Sequence, residues 1–217
     1  HLSADARLTD LAPESEAEPS SYRFDPDDPT RWGPRWTGGE PLPFDNRQLD
    51  DRPDVLTFET APADDPMALV GPVSAILWAA ADTPDFDLHA KLLDRYPDGR
   101  TIYLADGILR ARFRDGFDEP TPLEDDEPHR YELDLWHVGH LLRPGHRLGL
   151  QISSSALLRY DVNPCTGGDP ARERETRPAN ISIWHDPDHP SHLELPLWTP
   201  APTRAPDTSL RPVSETE

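Results

Sequence analysis

The sequence predicts an all-β protein, an antiparallel sandwich or jelly roll, and three observations lead there. Short apolar runs alternate with polar residues at a period of two, turn dipeptides punctuate them, and no stretch carries the periodicity of an amphipathic helix. The 27 prolines crowd residues 13–72, 120–128 and 187–206 and leave the alternating runs nearly free. Proline cannot donate to a sheet ladder, so this pattern describes strands held between long ordered connections.

Residues 1–53 are low in periodicity and are expected to form a linker and an extended strap. The run APESEAEPSS has the composition of a mobile linker, whereas Tyr22, Phe24, Trp32, Trp36 and Phe44 are too aromatic for a free tail. Residues 22–53 therefore read as a strap laid over a folded surface. Strands are expected from residue 54 onwards, starting with Val55 to Phe58. The run VGPVSAILWAA (residues 70–80) is apolar on both faces, as in the middle of a sandwich. Leu88, Ala90 and Leu92 alternate with His89 and Lys91, the pattern of a half-buried strand. Pro97-Asp98-Gly99 reads as a turn, and Asp106-Gly107 as a second turn between strands at residues 101–104 and 108–113. After an acidic loop, Tyr131, Leu133 and Leu135 alternate with polar neighbours. Leu148, Leu150 and Ile152 do the same behind a Pro144-Gly145 turn. Residues 181–184 and 193–197 close the set. A short helical turn near His140 to Leu142 is compatible with this pattern. The sandwich is expected to span residues 54–198, with a frayed tail over residues 199–217.

Composition narrows the function. The 217 residues suffice for one sizeable core with flanking segments, and the formal net charge is −20. A field of that sign repels nucleic acid and anionic membranes, so neither is expected as a partner. The longest apolar run is too short to span a bilayer. Lys91 is the only lysine, and the other twenty basic residues are arginine. This bias fits a GC-rich genome or adaptation to high salt, and the acidic excess favours the second. Cys165 is alone, which excludes an intrachain disulfide and fits a reducing cytoplasm. The chain begins at His1 with no apolar signal segment behind it, and it is expected to be a piece of a longer protein.

At residues 85–112 the run DFDLHAKLLDRYPDGRTIYLADGILRAR resembles the C-terminal domain of CocE/NonD-type serine hydrolases, the group of X-Pro dipeptidyl peptidases, cocaine esterases and α-amino acid ester hydrolases. Further matches follow the family order: DRPDVLTF (residues 51–58), GPVSAILWAAADTPDFD (71–87), PGHRLGLQISSS (144–155), RYDVNPCTG (159–167) and HDPDHPSHLELPL (185–197), with YRFDPDDP (22–29) similar to the family's strap. The resemblance implies a galactose-binding-like jelly roll that accompanies an α/β-hydrolase catalytic domain, in the same or a separate chain, and a helical cap. It allows a homo-oligomer of the complete enzyme. The family's Ser-His-Asp triad lies upstream, so no position here inherits a catalytic role. The implied function is a non-catalytic accessory domain that walls the active-site cleft and stabilises the catalytic domain. The alternative is a freestanding galactose-binding-like module for carbohydrate or another ligand, with tryptophans as stacking platforms.

Each candidate for chemistry has a plainer structural role beside it. Ser153-Ser154-Ser155 lacks the flanking glycines of a nucleophile elbow and reads as a strand end whose hydroxyls bond backbone. His185, His189 and His192 form the densest histidine cluster. Pro187 and Pro190 exclude the helical spacing that would set two of them on one face, so no metal and no cofactor is expected. Asp85 and Asp87 sit as two carboxylates on one face of a strand, a pattern that could serve as acid and base in glycoside hydrolysis or bind calcium. The resemblance instead implies a structural turn whose acids meet arginines such as Arg110 or Arg112, and Arg159 and Asp161 read the same way. Cys165 sits in a turn sequence with nothing evident to lower its pKa, as suits an incidental thiol. In the family, residues after a Gly-Gly near the strap's end line the acyl pocket. Gly38-Gly39 match that pair, which makes Trp36, Leu42 and Phe44 the expected substrate-pocket wall, against plain packing of the strap on its own sandwich.

Overall fold

The computed structural model describes residues 1–33 and 44–199. Among these residues nine strands form two antiparallel sheets that pack face to face. The first sheet contains β1 (Ser20–Phe24), β8 (Ala179–Trp184), β3 (Met67–Ala81) and β6 (His129–Leu142) in that order, and β9 (His192–Glu194) also pairs with β3. The second contains β2 (Leu56–Glu59), β7 (Arg147–Ser153), β4 (Asp87–Arg95) and β5 (Thr101–Arg110). Alternation supplies the core between them. Leu88, Ala90 and Leu92 of β4 and Leu148, Leu150 and Ile152 of β7 meet Tyr131, Leu133 and Leu135 of β6 and Ile181 and Ile183 of β8. Phe86 and Tyr131 pack edge to face at 5.7 Å in the same core. The run expected to be apolar on both faces is β3, flanked in its sheet by β6 on one side and by β8 and β9 on the other. Among the described residues no helix is long and apolar enough to cross a membrane.

Four local expectations change. Ser20 to Phe24, read as the end of a linker and the start of a strap, pair residue for residue with β8, with Tyr22 and Phe24 buried in the core. Strand pairing thus crosses the expected boundary at residue 54. His140 to Leu142 continue β6 and form no helical turn, because they pair with Met67 to Leu69 of β3. Asp106-Gly107 is no turn either: β5 runs unbroken through it, Asp106 opposite Lys91 and Gly107 opposite Ala90. Residues 111–113, expected to extend the strand, form a 3-10 turn instead. The proline inside β3, Pro72, sits at a bulge where its missing N–H costs no ladder bond.

Candidate functional site

The second sheet has an unusual outer face. Its alternation sends Asp87, His89 and Lys91 away from the core, yet every residue from Asp87 to Asp94 is buried. Residues 30–33, 44–50 and 156–163 lie over this face and exclude water from it. Trp32 is buried there and Phe44 half-buried. The Phe44 ring stacks on Tyr103 at 5.0 Å, and Trp32 presents its edge to Phe44 at 4.9 Å and to Tyr103 at 5.5 Å. Backbone bonds fix the strap beside them, from the Tyr103 N–H to the Phe44 carbonyl and from the Asn46 N–H to the Thr101 carbonyl. The Arg159 guanidinium stands 4.8 Å from the Trp32 ring, a cation–π distance.

Beneath the aromatic layer, Asp106 gathers four partners. It accepts hydrogen bonds from His89 Nε2 at 2.9 Å, Trp32 Nε1 at 3.1 Å and Tyr103 Oη at 2.6 Å, and it forms an ion pair with Arg159 at 3.0 Å. Burial pushes the Asp106 carboxyl up, but the hydrogen bonds from His89 and Tyr103 and the charge of Arg159 outweigh it and leave it below its usual range. Burial, more than any neighbour, pushes His89 below its ordinary value, so the folded chain holds a neutral imidazole near neutral pH. A base whose pKa falls on folding makes the unfolded state bind more protons. Stability is therefore expected to drop as the pH falls from the unfolded histidine's range, and His89→Gln to make that decline shallower. Urea unfolding at a series of pH values between 4.5 and 7.5, roughly the histidine window, measures this.

A second line of bonds runs along the same face. Lys91 Nζ donates to the Trp32 carbonyl at 2.9 Å and to Asn46 Oδ1 at 3.2 Å. Asn46 Nδ2 donates to Gln151 at 2.6 Å, Gln151 donates to Asp50 at 2.9 Å, and Arg95 forks onto Asp50 at 2.8 and 3.1 Å. Strap, β7, β4 and β5 are thereby joined by polar groups whose partners are other polar groups of the same face.

Ser153, His89 and Asp106 follow one another in the order of a nucleophile, base and acid. The geometry does not serve that chemistry. Ser153 is 5% exposed, its hydroxyl stands 3.4 Å from His89 Nδ1, and it donates to the Ser155 carbonyl instead. A nucleophile must meet its substrate and pass its proton across a short bond. Ser154 bonds Tyr22, and Ser155 accepts the Thr30 N–H, so these two serines tie the end of β7 to β1 and the strap.

The remaining candidates take structural roles. Arg112 holds Asp85 at 2.7 Å, Arg110 forks onto Asp87 at 2.8 and 3.0 Å, and Asn163 donates to both carboxylates. Arg159, expected beside Asp161, pairs with Asp106 because the sheet face brings that carboxylate under it. His185 bonds Ser20, His189 bonds Asp186 and His192 bonds the Pro190 carbonyl, so the three rings point to different partners. Among the described residues no group of His, Cys, Asp and Glu is placed to share a metal ion. Cys165 is buried, and burial pushes its thiol up to about 12, well away from a reactive thiolate. Of the expected pocket wall, Phe44 lies in the aromatic layer, while Trp36 and Leu42 fall outside the described residues. From the sequence, alternation places His89 and Lys91 on the outer face of a half-buried strand and Asp106 in a turn, so none of the three is a site candidate there.

The fold and the site together define an antiparallel sandwich with a strap pinned over a buried polar face. Residues 2–194 match the X-Pro dipeptidyl-peptidase C-terminal non-catalytic domain, and the chain belongs to that family, the C-terminal domain of CocE/NonD-type hydrolases. It is 40% identical over 185 residues to the cocaine esterase of Rhodococcus sp. (strain MB1 Bresler), a match that covers 82% of this chain and 32% of the esterase. An α-amino acid ester hydrolase structure superposes with a TM-score of 0.85 at 30% identity, covering 91% of this chain and 35% of that one. An aminopeptidase from the marine sediment archaeon Thaumarchaeota archaeon superposes with a TM-score of 0.83 at 27% identity, over 91% and 36% of the two chains. The chain spans about a third of the length of the relatives it matches.

Proposed function

We propose that this chain walls and supports the active-site cleft of a serine hydrolase that cleaves esters or amides. The observation that carries the reading is the family match, to a domain that forms about a third of hydrolases acting on such bonds. In the complete protein an α/β-hydrolase domain would carry the activated serine and the oxyanion donors. The strap, held by Phe44 between Trp32 and Tyr103, would present the apolar wall with Trp36 and Leu42. The large exposed apolar side chains Val70, Leu141 and Trp198 offer a surface to the catalytic domain or to a second copy in a homo-oligomer. Jelly-roll, galactose-binding-like connectivity, a sandwich limit near residues 54–198 and a cytoplasmic setting, suited to the single buried thiol, belong to the same proposal. A freestanding carbohydrate module is not favoured: its relatives are hydrolases, and Trp32 is buried in hydrogen bonds and ring contacts instead of offered for stacking.

The pure chain is expected neither to turn over a p-nitrophenyl ester nor to be labelled by a serine-directed inhibitor; turnover that such an inhibitor titrates overturns the reading. In the complete hydrolase, Phe44→Ala is expected to lower kcat/KM for a bulky acyl ester by about tenfold, with little effect on the acetyl ester. Equal effects on both esters would remove the strap from the wall.

A further inference from the structure

Lysine occurs once in this chain, and that residue is 2% exposed. The other twenty basic residues are arginine. Lys91 lies on β4 in the polar face under the strap, and its surroundings do not suit an ammonium ion. Among the described residues no carboxylate oxygen stands within 4.0 Å of Nζ. Asp106, the acid whose charge reaches it, is already engaged by three hydrogen-bond donors and by Arg159. The acceptors Nζ has are both uncharged, the Trp32 carbonyl and Asn46 Oδ1. An ammonium offers three donors and a charge that burial penalises heavily, whereas a neutral amine offers two N–H groups. Two acceptors match the amine. Arginine could not fill the place, because a guanidinium keeps its proton and brings five donors.

We infer that Lys91 is a positioning residue that acts as a neutral amine, pinning the strap to the second sheet through Trp32 and Asn46, so that the strap docks more firmly as the pH rises through neutrality. Polar and titratable groups face it from every packed element. On its own strand His89 is neutral near pH 7, and Asp106 of β5 attracts the charged form. Arg159 from the covering loop repels it, and burial exceeds both, pushing the amine down to about 7. Gln151 and Ser153 of β7 are uncharged, while Tyr103 and Tyr160 are raised above their ordinary values and stay neutral. The Asp50–Arg95 pair reaches Lys91 only through Gln151 and Asn46. The sign follows from linkage. The unfolded chain holds its lysine proton up to the ordinary value of 10.5, the folded chain releases it near 7, and stability therefore rises with pH between these values.

Only the connection to a cleft wall rests on the function proposed above; the pin does not. Because Lys91 is the sole lysine, the 217-residue chain labelled with [13Cε]lysine gives one side-chain resonance. That resonance is expected to titrate near 7, and a midpoint near 10.5 overturns the inference. Independently, the folding constant from urea unfolding is expected to rise roughly 25-fold between pH 6.5 and 8.5 in the wild type beyond any rise in Lys91→Met or Lys91→Arg. Equal slopes in the wild type and both variants overturn it as well, and if neither variant folds the resonance still decides. Neither measurement involves substrate. A failed pin thus leaves the cleft-wall reading to the Phe44→Ala kinetics, and failure there leaves the pin intact.

Discussion

Asp106→Ala is expected to destabilise the chain by about 3–5 kcal/mol, because it strands the donors of His89 and Trp32, which are buried and have no water to turn to. The half-buried Tyr103 hydroxyl loses its acceptor as well. Arg159 loses its ion pair but is exposed, so its charge turns to water at little cost. A domain of this size has a net stability of about 5–15 kcal/mol, so the loss removes a fifth or more of it. Urea unfolding followed by circular dichroism measures the change. The same variant should loosen the strap first, because Trp32 and Tyr103 are its landing points. Protease cleavage near residues 30–50 at denaturant concentrations that leave the sandwich intact would reveal that order. Asp106→Asn keeps the shape but turns an NH2 group toward donors, and it should recover only part of the loss. A cost below about 1 kcal/mol for Asp106→Ala would mean that the stranded donors find water, and that the face is wetter than its burial implies.

The position of Asp106 also shows where the sequence was legible and where it was not. Period-two alternation located the core side of β4, β6 and β7, because each apolar residue there signals its own burial. Asp-Gly is a strong hairpin signal, and at residues 106 and 107 it misleads. The two residues serve separate non-local needs, a carboxylate for the polar face and a bare backbone for the seam with β6. Neither need leaves a mark on adjacent residues. The same distance hides β1, whose partner in the sheet begins at Ala179 and is not implied by anything between residues 20 and 24. His89 and Lys91 look like the wet side of a half-buried strand, since the cover that dries them comes from residues 30–50 and 156–163. Composition held one usable cue. A chain that replaces lysine with arginine everywhere else, yet keeps it amid alternating leucines, marks Lys91 as a place where arginine does not fit. Of the candidate wall, only Phe44 can be placed, and its contacts with Trp32 and Tyr103 were signalled by the aromatic content of the strap.

Gly107→Ala carries the second large effect, and here general propensity and this structure give opposite signs. Replacing glycine within a strand ordinarily stabilises a protein by about 0.4–1 kcal/mol, chiefly by restricting the unfolded chain. At Gly107 a β-carbon would collide with the Asp134 carbonyl oxygen and stand 2.9 Å from its carbon. Those atoms are backbone of β6 in the opposite sheet, so no side-chain rotation relieves the contact. β5 and β6 must separate, and the seam that closes this side of the sandwich opens with them. Overpacking of this kind costs about 1–3 kcal/mol and more when backbone has to move, so a loss of about 3 kcal/mol or greater is expected. Gly139→Ala provides the control. That glycine lies on β6 with nothing within 4 Å of its would-be β-carbon, and its replacement should be neutral or mildly stabilising. Thermal unfolding of the two variants side by side separates a steric requirement from a general effect of glycine. If both shift alike, the close approach of the two sheets at Gly107 is not what holds this edge together.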